Sequence, residues 1–140
     1  MENTNKTVVA VKGVIVHEGR ALIVKRSDND EVGAGTWECA GGKIEFGENL
    51  ESALVREIEE EVGINVTVEK ILFATSFNTG PTRQVVILTY LCRPNNTKVI
   101  LSEEHIEYEW ASKKQLKALL TPEIIKDFER SDIFSLLELI

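Results

Sequence analysis

The stretch GGKIEFGENLESALVREIEEEVGI, residues Gly41 to Ile64, decides how this chain folds. Apolar residues recur in it at four-residue spacing, which is the spacing of one helix face: Leu50, Leu54, Ile58 and Val62. Asn49 is a suitable N-cap for such a helix, and Gly63 is a suitable C-cap. The pattern therefore predicts a helix over residues 49–62.

The same stretch is crowded with carboxylates, with seven glutamates among the 17 residues from Glu45 to Glu61. Residues three and four apart share a helix face, so we expect Glu57, Glu60 and Glu61 to converge. Carboxylates held this close repel each other and raise one another's pKa. A hard divalent cation such as Mg²⁺ or Mn²⁺ relieves that repulsion, because both ions prefer oxygen ligands. Taken alone, the triplet is more typical of a solvated acidic helix face.

Two observations favour the metal interpretation over the solvated face. Gly41 and Gly42 precede the helix, and residues without a Cβ let the backbone approach a metal or a phosphate closely. Seven residues also stand at fixed spacing: Gly42, Glu48, Arg56, Glu57, Glu60, Glu61 and Gly63. That spacing resembles the Nudix hydrolase (MutT-like) signature, Gly-x5-Glu-x7-Arg-Glu-(aliphatic)-x-Glu-Glu-x-Gly-(aliphatic), with every defined position filled.

The resemblance implies an α+β Nudix fold, in which a mixed β-sheet is sandwiched between helices (α/β/α). It implies an enzyme that hydrolyses a nucleoside diphosphate linked to some group X. In the family, glutamates at three helix positions bind Mg²⁺ or Mn²⁺, often joined by a glycine carbonyl; here these are Glu57, Glu60, Glu61 and Gly42. The arginine that matches Arg56 orients the catalytic loop, and the glutamate that matches Glu48 supports the site. Glu59 falls at the variable position and is expected to face solvent.

One residue departs from the family's common pattern. Many relatives carry proline before the double glycine, where this chain has Ala40. Proline would fix the backbone of the loop, so Ala40 is expected to leave it looser.

Strand patterns surround the predicted helix. Two β-branched runs, Val8–Val16 and Ala21–Lys25, predict a hairpin with its turn at Glu18-Gly19. The stretch DNDEVGAGTWECAGG, residues 28–42, is predicted to be loop, interrupted by a short extended piece at Trp37–Cys39. Two more strands are predicted over 65–78 and 83–93, joined by the turn TGPT.

The end of the chain reads as a short strand and two or three helices. The strand is predicted at Tyr108–Ala111, and the helices over Ser112–Leu120 and Pro122–Ile140, with Ser112 and Thr121 as caps. The whole order predicts one Nudix hydrolase domain over residues 1–140, of which 1–6 form a loose tail.

An acidic loop near the end of the chain supplies a further site candidate. Proteins similar to this one often carry an acid before a strand that ends in Trp, and that acid binds another metal or acts as general base. Glu104 is our choice, with Glu103 and Glu107 as rivals and an ordinary surface position as the alternative. The predicted catalytic set is therefore Glu57, Glu60, Arg56 and Glu104, with the base left open between Glu57 and Glu104.

Four residues are candidates for substrate contacts. In similar enzymes a basic residue at the end of the second strand contacts a substrate phosphate. Arg26 is the candidate here, with an ordinary surface arginine as its alternative, and Arg83 is a weaker candidate. Trp37 and Phe77 are candidates to flank a base, with core packing as their alternative.

Three further residues receive structural assignments. Trp110 is expected to pack in the core, because a large aromatic side chain is more often buried than used as a base-stacking platform. Both histidines, His17 and His105, are expected at the surface.

The net charge, the apolar runs and the cysteines of the chain limit which partners and which cellular location are expected. A net charge of −7 argues against a nucleic-acid polymer or an anionic membrane as partner. No apolar run approaches ~18 residues and the N-terminus lacks a signal pattern, so a cytoplasmic location is expected. The two cysteines, Cys39 and Cys92, are expected to be buried free thiols. The expected partner is a small nucleotide, and the chain is expected to be a monomer or a homodimer.

A compact chain of this kind looks like the (d)NTP pyrophosphohydrolases of the family, which release a nucleoside monophosphate and pyrophosphate, and the resemblance therefore favours that activity. Hydrolysis of ADP-ribose or of dinucleoside polyphosphates remains open. A non-catalytic nucleotide-binding module is a further alternative, which the intact REIEEEVG sequence, residues 56–63, disfavours.

Overall fold

The computed structural model describes residues 4–28 and 33–139 and shows a mixed sheet between helices. The strands are β1 (Lys6–His17), β2 (Arg20–Arg26), β3 (Trp37–Glu38), β4 (Ala40–Lys43), β5 (Val66–Asn78), β6 (Arg83–Pro94) and β7 (His105–Ala111). The helices are α1 (Leu50–Val62), α2 (Lys113–Leu119), α3 (Pro122–Arg130) and α4 (Ile133–Leu139). The α+β class, the helix after the double glycine and the first hairpin are confirmed.

Strand β1 organises the sheet, because three other strands pair with it. It runs parallel to β6 from the pair Lys6–Arg83 to the pair Ile15–Cys92. It pairs antiparallel with β4, where Val11 lies opposite Gly42, and with β2 at the hairpin. The strand order is β3-β2-β1-β6-β5, with β7 added to β2. The sheet therefore brings the double glycine of β4 against the middle of β1.

Alternation along the strands builds two cores, one on each face of the sheet. Val11 and Ile15 of β1 pack with α1, together with Leu54, Ile58 and Val62. Val14 and Val16 point to the opposite face and pack with helices α2 to α4 around Phe128. Each such fully buried side chain contributes roughly 1.5–3 kcal/mol. Both helical layers are therefore fixed to the sheet by apolar burial.

Three expectations about the course of the chain are wrong. Ala40–Lys43 forms strand β4 instead of loop, and β7 begins at His105, three residues before the predicted start. Lys6, assigned to the loose tail, is paired in β1. The reason for β4 is Gly41, whose φ is +151° and whose added Cβ would overlap the carbonyl oxygen of Val11. Residues 1–3 of the predicted tail, 29–32 of the predicted loop and Ile140 lie outside the described residues.

Helix α1 begins and ends as its sequence predicts. The side-chain oxygen of Asn49 accepts hydrogen bonds from the backbone N–H of Glu51 (3.0 Å) and Ser52 (3.3 Å). Gly63 closes the helix in the left-handed conformation, with φ at +69°. These contacts satisfy backbone groups that a helix end otherwise leaves unpaired.

The C-terminal helices follow the predicted boundaries with one difference. Ser112 and Gln115 form a reciprocal capping box at the start of α2, and Pro122 opens α3. Thr121 stands at the N-cap position of α3, but its side chain makes no capping hydrogen bond. None of the four helices described is long and apolar enough to cross a membrane.

Both cysteines are buried and free, as expected. Cys39 packs in the core beside α2 to α4, and Cys92 packs in the core beside α1. Burial raises the pKa of each thiol to about 12.

Asn49 and Thr121 both stand at N-cap positions, but only the Asn49 side chain accepts capping hydrogen bonds. Comparing them measures how much those hydrogen bonds add to the free energy of unfolding. Replacing Asn49 with Ala should lower the free energy of unfolding by about 1 kcal/mol, because two amides lose their acceptor. Replacing Thr121 with Ala should cost less than about 0.5 kcal/mol, since its side chain caps nothing. Urea unfolding followed by circular dichroism measures both, and equal losses would contradict the assignment.

Candidate active site

Arg56 on α1 lies at the centre of the acidic cluster. Its Nε and Nη2 atoms donate to the two carboxylate oxygens of Glu48, both at 2.8 Å. Its Nη1 atom lies 3.1 Å from Glu57 Oε1 and 3.2 Å from Glu60 Oε2. A guanidinium paired bidentately with a carboxylate is among the strongest charge-assisted contacts in proteins. One arginine therefore compensates three of the crowded glutamates.

The loop before α1 is held in place through Glu48. Glu48 Oε1 accepts a hydrogen bond from the backbone N–H of Glu45 at 2.6 Å, and Arg56 Nη2 reaches the Lys43 carbonyl at 3.4 Å. Hydrogen bonding to Arg56 and to Glu45 lowers the pKa of Glu48 to about 2. Glu48 therefore stays ionised and ties the loop to the helix.

Glu57 lies against the backbone of Gly42. A Cβ added at Gly42 would overlap the Glu57 carboxylate, so only glycine leaves room for it there. Burial raises the pKa of Glu57, the charge of Arg56 opposes that rise, and the charges of Glu60 and Glu104 add to it. The Glu57 carboxylate is therefore a partly desolvated group close to other negative charge.

Glu61 is the most buried glutamate of the helix, with 8% of its surface exposed. Its Oε2 atom accepts a hydrogen bond from the backbone N–H of Gly41 at 3.2 Å. Burial raises the pKa of Glu61 to about 7, although the charge of Lys12 and the Gly41 hydrogen bond act in the opposite direction. Gly41 thus contacts the carboxylate of Glu61, and Gly42 lies against that of Glu57, one helical turn earlier.

The three helix glutamates do not converge on one point, contrary to expectation. Glu57 and Glu60 meet at Arg56, whereas Glu61 is turned toward Gly41 and the sheet. Over residues 4–28 and 33–139, no three His, Cys, Asp or Glu side chains are gathered closely enough to hold a metal ion together. The reason is that the guanidinium lies between two carboxylates while a backbone amide takes the third. Glu59 is exposed, as expected.

A second polar cluster, formed by Lys12, Arg26, Glu38 and His105, lies beside Glu61. Glu38 Oε2 is 3.0 Å from His105 Nε2, and Glu38 Oε1 is 3.6 Å from Lys12 Nζ and 3.2 Å from Arg26 Nη1. Burial alone would raise the pKa of Glu38, but the His105 hydrogen bond and the two cations lower it to about 2. The cluster therefore fixes an ionised carboxylate inside the protein.

Sequence reasoning missed most of this second cluster. The available signals were a lysine inside the apolar run of β1 and a glutamate between Trp37 and Cys39. The expectation that His105 lies at the surface is wrong, since it is 6% exposed. His17 is indeed a surface residue, with 47% of its side chain exposed.

The structure places Glu104 near the helix glutamates. Its charge raises the pKa of Glu57, and its backbone carbonyl accepts a hydrogen bond from the Ser27 N–H at 3.0 Å. Of its rivals, Glu107 forms an ion pair with Lys25 at 3.5 Å, and Glu103 is exposed in the same turn as Glu104. Glu104 is thus the member of the three whose charge reaches Glu57.

The four candidate substrate residues do not come together. Arg26 lies in the second polar cluster, next to the site. Arg83 lies opposite Lys6 in the register of β1 and β6. Lys6 is five residues along β1 from Val11, which lies opposite Gly42, and this separation is about 16 Å along a strand. Trp37 and Phe77 lie on β3 and β5, at opposite ends of the strand order, so they do not enclose one base.

The aromatic side chains differ in burial. Trp37 packs partly buried against the core beside α2 to α4, and Trp110 packs partly buried against the core beside α1, as expected for Trp110. Phe77 is 47% exposed.

Comparison with known proteins identifies the family of this chain. The NUDIX domain family matches residues 6–130, so the chain belongs to this family and is a Nudix hydrolase. A MutT-like protein of Streptomyces ambofaciens is 38% identical over 103 residues, which cover 73% of this chain but only 62% of that protein. A CTP pyrophosphohydrolase of Escherichia coli is 31% identical over 110 residues, covering 79% of each chain. The crystal structure of a MutT protein from Methanosarcina mazei superposes with a TM-score of 0.81, at 30% identity over 91% of this chain and 94% of that one.

Members of this family generally use a divalent cation, and the donor atoms here are of the type that such an ion binds, although the described side chains do not gather three of them at one point. Glu57, Glu60 and Glu61 offer hard carboxylate oxygens, which suit Mg²⁺ or Mn²⁺. Because Gly42 has no Cβ, its backbone lies close to the Glu57 carboxylate. Burial disfavours the charged forms of Glu57 and Glu61, and a positive ion beside them would reverse that effect on their pKa values.

The raised pKa of Glu61 predicts a pH-dependent stability. The folded protein holds this proton up to about pH 7 while the ordinary value is 4.5, so the stabilising contribution is complete below 4.5 and is lost as pH rises through 7. As pH rises from about 4.5 to about 8 in EDTA, the free energy of unfolding should fall in wild type and in Glu61→Gln. The fall should be about 3 kcal/mol smaller in Glu61→Gln than in wild type, because the glutamine has no proton to lose. Denaturant titrations across this range measure the difference. Parallel curves for the two proteins would show that Glu61 is already ionised at low pH.

Proposed function

We propose that this chain is a metal-dependent nucleoside triphosphate pyrophosphohydrolase that releases a nucleoside monophosphate and pyrophosphate. The observation that carries the proposal is the Glu57 carboxylate lying against Gly42, with the charges of Glu60 and Glu104 close by. Similarity to the Escherichia coli CTP pyrophosphohydrolase supports the choice of a triphosphate. A protein named nucleoside triphosphatase NudI, from another Escherichia coli strain, adds to that support at 32% identity.

The carboxylates of Glu57, Glu60, Glu61 and Glu104, together with the Gly42 carbonyl, are the groups that would hold Mg²⁺ or Mn²⁺. When bound, the ion neutralises phosphate charge and makes a water molecule more acidic. Arg56 holds Glu57, Glu60 and the Glu48 loop in one arrangement, so the carboxylates keep their places as the polyphosphate arrives. Arg56 acts in this way through the side chains that it orients.

A carboxylate must take the proton of the attacking water, and we assign that step to Glu104. Glu57 Oε1 accepts a hydrogen bond from Arg56, and the carboxylate lies against Gly42 as a proposed metal ligand, so this side chain is less free to move toward the water. Glu104 lies in an exposed turn, and its negative charge still acts on Glu57. A base on a turn can meet the water from the solvent side of the substrate.

Arg26 is the candidate that the fold leaves nearest to the carboxylates, and we propose that it contacts a substrate phosphate. Its guanidinium is held by Glu38, which orients the planar donor group. Arg83 and Phe77 lie away from the double glycine, and Trp37 packs on the core, so we assign them no role.

Adjacent glutamates on α1 give a matched test of the proposed site. Replacing Glu60 with Gln should lower kcat by roughly 10²-fold or more, because a carboxylate beside Arg56 and Glu57 is lost. Replacing the exposed Glu59 with Gln removes the same charge from the same helix and should leave kcat within about twofold. Steady-state hydrolysis with Mg²⁺ and with Mn²⁺ measures both. Equal effects of the two substitutions would show that only bulk helix charge matters.

The products decide the substrate class. Nucleoside triphosphates, ADP-ribose, sugar nucleotides and dinucleoside polyphosphates should be incubated with the protein and Mg²⁺ or Mn²⁺, and the products separated by ion-exchange chromatography. Nucleoside monophosphate and pyrophosphate from a triphosphate are the expected result. Selective cleavage of ADP-ribose or of a dinucleoside polyphosphate would replace the proposed substrate. Metal-dependent binding without any turnover would instead identify a nucleotide-binding module.

A further inference from the structure

Strand β7 changes face at its first residue. Along its length Trp110 packs with the core beside α1 and Ala111 with the core beside α2 to α4, so even and odd positions face opposite sides. Strict alternation would put His105 on the side of Ala111. The register of β7 with β2 shifts between Lys25 and Arg26: Glu107 lies opposite Lys25, and His105 lies opposite Arg26. The bulge at Ile106 therefore turns His105 to the α1 side.

On that side, His105 meets the ionised Glu38. The Glu38 carboxylate can only accept, so the 3.0 Å contact is a hydrogen bond donated by His105 Nε2. The His105 side chain is 2% exposed, and Glu38 is itself held by Lys12 and Arg26. This contact joins the first residue of β7 to β3, across 67 positions of sequence.

The turn that carries Glu104 is tied down on both sides of this contact. The Ser102 N–H donates to the Glu61 carbonyl at 2.9 Å, and the Ser27 N–H donates to the Glu104 carbonyl at 3.0 Å. The His105 N–H closes the turn on the Ser102 carbonyl at 3.3 Å. These backbone contacts tie the turn to α1 and to the residue after β2, and His105 is the buried side chain directly next to Glu104.

We infer that His105 and Glu38 are positioning residues, whose hydrogen bond, set by the bulge of β7, holds the turn so that the Glu104 carboxylate stays beside Glu57. The inference rests on the role of Glu104 in the proposed function. His105 and Glu38 act through Glu104, not on the substrate. A displacement of about 1 Å at a reacting group lowers catalysis by as much as ~10²-fold, so a contact of this kind has a measurable effect.

A double-mutant cycle tests whether His105 acts through Glu104. His105→Phe should lower kcat by roughly 10- to 100-fold with little change in KM, and Glu104→Gln should lower it by at least as much. In the Glu104→Gln background, His105→Phe should have no further effect, because the group it positions is already disabled. Independent, multiplicative losses would overturn the inference.

Conservative variants and an exposed control sharpen the cycle. His105→Gln places an amide donor near the position of Nε2 and should recover most of the lost kcat, whereas His105→Phe cannot. Glu38→Gln weakens the same contact from its other end and should lower kcat as His105→Phe does. It should also raise KM, because Arg26 loses the carboxylate that orients it. His17→Phe changes an exposed histidine and should leave kcat within about twofold of wild type.

A measurement independent of metal and substrate reports the turn directly. Amide hydrogen exchange of Ser27, whose N–H bonds to the Glu104 carbonyl, should be faster by about tenfold or more in metal-free His105→Phe and unchanged in His17→Phe. Unchanged exchange at Ser27 in His105→Phe would overturn the inference, as would full activity of Glu104→Gln. If His105→Phe fails to fold, Glu38→Gln serves in both measurements. A wild type without turnover defeats the proposed function at the outset, while the exchange experiment still judges the anchoring of the turn.

Discussion

Arg56 is the residue on which the acidic part of this fold depends. Its guanidinium binds Glu48 through two hydrogen bonds and reaches Glu57 and Glu60 through a third nitrogen. Without a fixed positive charge, the glutamates around the start and middle of α1 would repel one another across neighbouring turns. A planar fork of donors can serve three carboxylates at once, which a lysine ammonium does less well. The loop before α1 and the glutamates on α1 therefore form one unit.

The double glycine connects that unit to the sheet. Gly41 lets β4 approach the backbone of Val11, and Gly42 leaves room for the Glu57 carboxylate. The N–H of Gly41 also meets the carboxylate of Glu61. The same two residues thus serve strand pairing on one side and carboxylate placement on the other. A side chain introduced at Gly41 would clash with the backbone of β1, and one introduced at Gly42 would clash with the Glu57 carboxylate.

What the sequence predicts well is local, and what it misses depends on distant pairing. Helix α1 and its two caps follow from apolar spacing and from residues that contact their own neighbours, such as Asn49. Strand β4 was missed because a glycine-rich segment becomes a strand only when another strand accepts it. His105 was misplaced because a single bulge reverses the face on which it lies. The glutamates were expected to converge because helical spacing describes positions on the helix, while Arg56 and Gly41 decide where the carboxylates point.

The burial of the two thiols has a consequence for how the molecule meets reactive chemicals. Thiolate, not thiol, attacks alkylating and oxidising reagents, and both cysteines are held protonated within the packed interior. Electrophiles therefore reach Cys39 and Cys92 only when the native packing opens. The rate at which iodoacetamide labels the two cysteines therefore reports how often that packing opens.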